Sequence, residues 1–436
     1  MSVASLKHWR YRIFASTWLC YAGYYFCRKP FYVVKASFGD ANALTAADLG
    51  LIGSAYLISY SIGQFLAGWA GNRAGSRLTL LVGMAVSIGC NAAFGFANSL
   101  GAILGFMALN GLAQATGWSG NVAAMAPWFK REERGTVMGL WSTNFQAGGV
   151  LANTFAAFLL GHYGFKYSFL GGSLVLIAVW IFFYFNQRNR PQDVGLDPLE
   201  SNDSETRQPE TGQTSTLQAS AEHTSSTNSK TSDSKWNREI WITILLVGSF
   251  YFFVKFIRYA LWSWAPYFLQ KNYHLAGDDA GYIATLFDFC GIIGVITAGF
   301  LSDRWFKGRR AQISVLFIAG MTAGCIGLYF LGGQAVWIFG AGIGFIGFML
   351  YGPDALLTGA GAIDIGTQER AALAAGIING MGSIGSVFQD LMIGDLYTRS
   401  GGKLEPVFLL LVGSAAMALL LMGIVLLRNR SQKSDV

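Results

Sequence analysis

The chain is predicted to be an all-α membrane protein of twelve transmembrane helices, built as two six-helix halves related by pseudo-symmetry. Three observations predict it. Of the 436 residues, 53% are hydrophobic and 13% charged, whereas soluble domains carry about 25% charge. Apolar runs of about 20 residues, each long enough for a hydrocarbon core of about 30 Å, recur along most of the sequence. Short motifs then repeat at a spacing of about half the chain. The 55 glycines suit helices that pack closely in lipid through small residues.

Taken in order, the predicted spans of the first half are 12–36, 48–70, 78–97, 101–126, 136–160 and 166–187. Those of the second are 237–270, 279–301, 311–331, 335–359, 371–397 and 404–427. Residues 188–236 separate two six-helix halves, 1–187 and 237–436, and from Asn189 to Lys235 the chain is almost purely polar. Such a stretch buries too little apolar surface to offset its ordering entropy and reads as a disordered linker. The halves echo each other: Gly68–Arg73 follows the second span as Gly299–Arg304 follows the eighth, and Glu133-Arg134-Gly135 resembles Glu369-Arg370-Ala371. Parallel six-span repeats with a site at their interface are a transporter architecture.

Lysine and arginine set the orientation. Lys7, Arg10, Arg12, Arg73, Arg77, Lys130, Arg131, Arg134, Arg188, Arg190, Arg304, Lys307, Arg309, Arg310, Arg370, Arg428 and Arg430 fall on one side. The opposite side has little beyond Lys35, Lys166, Lys271, Arg399 and Lys403. Both termini and the linker are therefore expected to be cytoplasmic. The net charge of +7 comes mostly from these residues, so no nucleic-acid partner is expected. The five cysteines lie in apolar stretches without a C-x-x-C pair, and the four histidines sit at segment ends or in the linker. Neither a metal nor a cofactor is expected. Lys7, Arg10 and Arg12 before an apolar run imitate a signal peptide, but the run is too long and lacks an A-x-A-like cleavage site.

The residue that constrains function is Arg28. Counted from Arg12, it lies about 24 Å along the first span, well inside the bilayer core. An arginine there costs about 2.5–3.5 kcal/mol on lenient scales and needs a partner. Beyond Asp48, at the very start of the second span, the first half has no acid inside a span, so the counter-charge must come from the second half or from a ligand. Tyr21, Tyr24 and Arg28 share a helix face, with Tyr25 adjoining, while Lys29 lies about 100° round. Pro30 cannot donate to the Phe26 carbonyl, which predicts a kink beside the arginine.

In the seventh span Lys255 and Arg258 stand three apart and share a face, with Tyr259 adjacent. Two readings compete for these cations. One has them snorkelling or paired with Asp288, Asp354 or Asp390. The other has Arg28 and Arg258 as opposing forks of an anion site, since guanidinium matches phosphate bidentately. Trp118, Tyr24, Tyr25 and Tyr259 could then contact a sugar or short polyol, although aromatic residues at such positions more often pack.

At these residues the chain resembles the organophosphate:phosphate antiporters of the major facilitator superfamily. The likeness runs through Arg28-Lys29-Pro30 to Lys35, Asn110–Gln114 with Gly117-Trp118, Arg134-Gly135 with Met138-Gly139, Leu286–Asp288 with Gly291, Ser302–Arg304 and Gly352-Pro353. It implies a major facilitator fold that exchanges a phosphate monoester for inorganic phosphate, with one arginine from each half on the phosphoryl group; the matching positions are Arg28 and Arg258. Two departures concern the organic part. The bacterial glycerol-phosphate carrier has a histidine just before Gly-Gly in the fifth span, where this chain reads Asn144-Phe145-Gln146-Ala147-Gly148-Gly149. It also has a lysine where this chain has Gln64. The eukaryotic sugar-phosphate exchangers of the family keep a lysine like Lys255 but lack a match to Arg258.

The expected mechanism is rocker-switch exchange by a monomer. Two bare cations about 8 Å apart would repel by about 2 kcal/mol at an effective dielectric near 20, which opposes closing an empty cavity. Arg28→Lys or Arg258→Lys is expected to abolish exchange. The rivals are a proton-coupled symporter using Asp288, Asp354 or Asp390, and a sugar-phosphate sensor. No nucleophile–base pair supports an enzyme. The expected setting is a bacterial inner membrane, with an internal eukaryotic membrane as the alternative. The substrate is left open among hexose phosphate, glycerol phosphate and phosphoglycerate.

Overall fold

A computed structural model describes residues 3–129, 133–197, 238–305, 310–355 and 368–430. The first half holds α1 (Val3–Phe26), α2 (Lys29–Ala41), α3 (Ala46–Ala74), α4 (Ser76–Phe94), α5 (Leu100–Gln114), α6 (Thr116–Met125), α7 (Arg134–Trp141), α8 (Thr143–Tyr163) and α9 (Phe165–Asn186). The second holds α10 (Arg238–Tyr273), α11 (Gly277–Arg304), α12 (Arg310–Leu331), α13 (Val336–Ala355), α14 (Gln368–Arg399) and α15 (Glu405–Arg430). Paired as α1/α2, α5/α6 and α7/α8, with the rest single, they make the twelve predicted spans. Nine of these, among the described residues, are long and apolar enough to cross a membrane by length and composition alone. The first, fifth and eleventh are not. The first opens on Lys7, Arg10 and Arg12 and is broken in its middle, the fifth is broken after Trp141, and the eleventh carries Glu369, Gln389, Asp390 and Asp395.

Local chemistry sets the corners. Thr45 caps α3 through a reciprocal capping box with Asp48, which satisfies donors a helix start leaves open. α3 turns into α4 at Gly75 and α8 into α9 at Gly164, with φ of +80° and +91°. That left-handed backbone favours glycine.

The break in the first span falls at Cys27-Arg28, as Pro30 predicts. Two freed carbonyls find distinct solutions. The Asn110 side-chain amide donates to the Cys27 carbonyl at 2.9 Å. The Phe26 carbonyl presses on Gly172 of α9, where a Cβ would overlap it. Gly172→Ala is therefore expected to cost about 1–3 kcal/mol by overpacking, seen as a lower unfolding temperature of the purified protein.

One expectation needs correction. The segment expected to be disordered from Asn189 is ordered in its first part. Pro191–Val194 form a 3₁₀ turn, and the Asp193 carboxylate accepts from the backbone of Asn189 and Arg190, each at 3.0 Å. Asn189 in turn accepts from Ser76 and from the Arg77 backbone at the start of α4, and Leu196 is buried in a cluster with Ile13, Met125 and Trp128. Polar composition concealed these helix-capping side chains. The remainder of the expected linker, 198–236, lies outside the described residues.

Among the described residues, the tight contacts between the halves gather on one side. Call the end that carries the 188–197 segment the linker side, and the other the far side. On the far side a large apolar cluster runs through both halves, including Val33, Leu49, Ala157, Trp264, Leu269 and Ile393. Glycines let backbones close there: Gly50 lies against the Asp390 carbonyl and Gly394 against that of Ala46. Asn153 of α8 donates to the Gly281 carbonyl of α11 at 2.8 Å. Lys271 and Asp40 form an ion pair between the halves.

Candidate phosphate-ester site

On the linker side of this seal a cavity of about 520 Å³ opens between the halves. Arg28, Lys255 and Arg258 line it, together with Tyr25, Tyr259, Trp118, Gln146 and Gln64. Eight of the eleven residues proposed from sequence thus share one chamber.

Arg28 stands at the helix break. Its Nε donates to Gln114 Oε1 at 2.9 Å, and the same oxygen accepts from Tyr56 at 3.0 Å. Gln114 is itself fixed, donating to Ser87 and Asn110. The guanidinium lies over Tyr25, Tyr60 and Tyr56, at 4.8, 5.1 and 5.7 Å from the ring centres. Among the described residues it forms no ion pair with a carboxylate. Its Nη2 is buried without a hydrogen-bond partner.

Arg258 differs from the expected bare fork. Its Nη1 bonds Asp354 Oδ2 at 2.6 Å, and its guanidinium lies over Tyr351 at 4.6 Å. Asp354 lies near the end of α13, in the same half as Arg258, so the pairing joins α10 to α13 and is one of the three acid pairings expected for these cations. Lys255 donates to Asn379 Oδ1 at 2.8 Å, a neutral partner.

Three proposed residues lie outside the chamber. Lys29 Nζ pairs with Asp288 Oδ2 at 3.0 Å and sits over Trp262 at 3.9 Å; it ties α2 to α11, since the helix rotation that points Arg28 at the cavity points Lys29 at the second half. Asp288 accepts from Tyr351 with its other oxygen. Tyr24 is fully buried and hydrogen-bonds Thr116 at 2.8 Å, so it packs within the first half. Asn144 is fully buried and neither amide atom has a partner. Trp118 does face the chamber, yet edge-on contacts with Tyr21 and Trp141 at 5.5 and 5.3 Å already fix it.

Gln114, Tyr56, Tyr60 and Asn379 escaped sequence reading as site residues. For Gln114 a signal existed. It closes the Asn110–Gln114 motif, where two amides four apart share a helix face. The wall's charges now sum simply. Among the described residues Lys29 and Asp288 cancel, Asp354 offsets one of the two cations Arg258 and Lys255, and two net positive charges remain.

A cavity of this kind, cationic and set between two six-helix repeats, defines a membrane carrier rather than an enzyme. The Major Facilitator Superfamily model matches residues 17–389 and 247–436, and the chain belongs to that superfamily. Within it the chain belongs to the organophosphate:phosphate antiporter family. It is 29% identical to a probable hexose phosphate transport protein of Chlamydia pneumoniae, over 95% of this chain and 90% of that one. It is 28% identical to the glycerol-3-phosphate transporter of Bacillus subtilis, over 97% and 93%. It is also 28% identical to the membrane sensor protein UhpC of Escherichia coli, over 86% and 83%. Among solved structures, a bacterial homologue of the human lysosomal transporter Spinster, inward-facing and unoccupied, superposes with a TM-score of 0.73 over 98% of this chain and 99% of that one. At 15% identity that likeness concerns the fold alone.

Proposed function

We propose that the protein exchanges a phosphate monoester, a sugar phosphate or glycerol phosphate, for inorganic phosphate by alternating access. The observation that carries this reading is the wall's two net positive charges around a buried guanidinium donor with no partner. A phosphate monoester carries about −1.5 to −2 at neutral pH and supplies strong acceptor oxygens. Inorganic phosphate meets the same need.

The exchange logic changes from the sequence expectation. Asp354 already offsets Arg258, so repulsion between two bare arginines is not what blocks the empty carrier. Sealing the linker side over an empty chamber would instead bury two uncompensated cations, which is strongly unfavourable. Either phosphate species removes that cost, and only a loaded carrier crosses. By the lysine and arginine distribution the linker side is cytoplasmic, so this state is open to the cytoplasm. Two units, 1–187 and 237–436, would rock as a monomer about the chamber, joined by 188–236. The setting is a multi-pass protein of a bacterial inner membrane, or an internal eukaryotic membrane.

The likeness to a membrane sensor favours a second reading, in which the same chamber binds the ester without moving it. Counterflow separates the two. Proteoliposomes loaded with unlabelled phosphate are expected to take up labelled phosphate, and external glucose 6-phosphate or glycerol 3-phosphate to compete. Saturable binding without counterflow would identify a sensor. Uptake that follows an imposed pH gradient with no phosphate inside would identify a proton symporter.

A further inference from the structure

Among the described residues Arg28 is held by an amide and by no acid. Its Nε donates to Gln114 Oε1 at 2.9 Å, and Tyr56 donates to the same oxygen at 3.0 Å. The Gln114 amide nitrogen donates to Ser87 Oγ and to Asn110 Oδ1, each at 3.2 Å. Ser87 donates to Asn110 Oδ1 at 2.7 Å. With its oxygen taken by two donors, Asn110 turns its nitrogen to the Cys27 carbonyl, 2.9 Å away. Two amides four apart on α5 thus hold both the backbone of the helix break and the side chain beside it. We propose that Gln114 is a positioning residue for phosphate recognition, a neutral holder that aims the Arg28 fork without cancelling its charge, and that Asn110 sets the break on which the fork stands. This assignment rests on the phosphate-ester reading above.

A guanidinium has donors only, so the atom facing Nε must be an acceptor, and turning the amide of Gln114 over would set its NH2 against Nε. Asn110 and Ser87 prevent that turn by accepting from the nitrogen. Gln114 and Ser87 are wholly buried and Asn110 nearly so, so water does not compete for these bonds. The close approach is built into the backbone. A Cβ at Gly111, between the two amides in sequence, would lie 2.5 Å from the Tyr56 carbonyl. The glycine therefore lets α5 bring Gln114 against the part of α3 that carries Tyr56 and Tyr60. Those two rings cover the guanidinium, and Nη2, buried without a hydrogen-bond partner, is left as a donor for a ligand. A carboxylate in place of Gln114 would bond Nε more strongly, yet it would weaken the field that draws a dianion.

The test is equilibrium binding of inorganic phosphate to the full chain in nanodiscs, with thermal unfolding of each variant to show that it is folded. Gln114→Glu keeps the shape and adds a charge, and its Kd for phosphate is expected to rise at least about 100-fold. Gln114→Met keeps the length and leaves the Arg28 charge unopposed, and a rise of about tenfold is expected. In an Arg28→Lys background Gln114→Met is expected to cost less than about threefold more, because a residue that acts through the guanidinium has little left to lose once the fork is gone. A purely structural role would lower affinity equally in both backgrounds and would not set Glu apart from Met. Should Gln114→Met fail to fold, Gln114→Glu decides alone. Phosphate binding by Gln114→Glu within about threefold of wild type or no weaker than that of Gln114→Met, or additive losses in the double variant, overturns the assignment and leaves the ester reading standing. A wild type that binds neither inorganic phosphate nor glycerol 3-phosphate nor glucose 6-phosphate removes both.

Discussion

Arg28→Lys is expected to weaken phosphate binding at least about 100-fold, and counterflow with it, while the protein still inserts and unfolds close to the wild-type temperature. The expected loss follows from how the guanidinium is divided. Its Nε is committed to Gln114, its flat face lies over Tyr25, Tyr60 and Tyr56, and Nη2 is left without a protein partner. A lysine keeps the charge but can serve either Gln114 or the ligand, and it cannot present two parallel donors. Each charge-assisted hydrogen bond contributes about 1.5–3 kcal/mol, so losing one or two of them accounts for a hundredfold drop. Radiolabelled phosphate binding measures it. Retention of phosphate affinity within tenfold would show that charge alone suffices, and that the fork is not what recognises the anion.

Most of the architecture was legible because hydrophobic length is a one-dimensional property. Twelve runs, the polar stretch after the sixth and the proline beside Arg28 each follow from residues adjacent in sequence. The chamber was legible in part for a related reason: a cation within an apolar span must face something polar, and Arg28, Lys255 and Arg258 do. The partners of those cations were not legible. Whether Asp354 meets Arg258 or Asp288 meets Lys29 depends on the rotation and crossing of helices some 96 and 259 positions apart in the chain. A change of one residue in helix phase, about 100°, would have exchanged those roles. Tyr24 illustrates the limit, since it shares a face with Arg28 yet packs on Thr116 within its own half. The capping turn after α9 escaped for the opposite reason. Its stabilising contacts are polar, and a low apolar content was read as an absence of structure.

The far-side seal makes the second large prediction. Lys35 and Asp390 are both wholly buried there, 3.6 Å apart. Ser263 links them, accepting from Lys35 at 2.8 Å and donating to Asp390 at 2.9 Å, and Trp264 donates to the same carboxylate oxygen at 2.8 Å. The second carboxylate oxygen has no hydrogen-bond partner and faces Gly53, so the pair is enclosed to the point where a Cβ would not fit. Asp390→Asn would leave the ammonium of Lys35 buried without a counter-charge, at about 3–5 kcal/mol. That cost falls on the sealed state alone, because separating the halves would hydrate Lys35. The equilibrium is therefore expected to move toward opening on the far side by two to three orders of magnitude, at about 1.4 kcal/mol per decade. The measurement is the labelling rate, by a membrane-impermeant maleimide, of a cysteine introduced at Leu49 in a background freed of the five native cysteines. Asp390→Asn should accelerate labelling by at least about 100-fold, and Lys35→Met/Asp390→Asn should return most of the way, since it buries no lone charge. A single variant that labels no faster than its parent would mean that apolar and glycine contacts hold the seal unaided. In that case the ion pair fixes register between the halves without latching them, and the transport cycle would have to draw its energetics from the chamber alone.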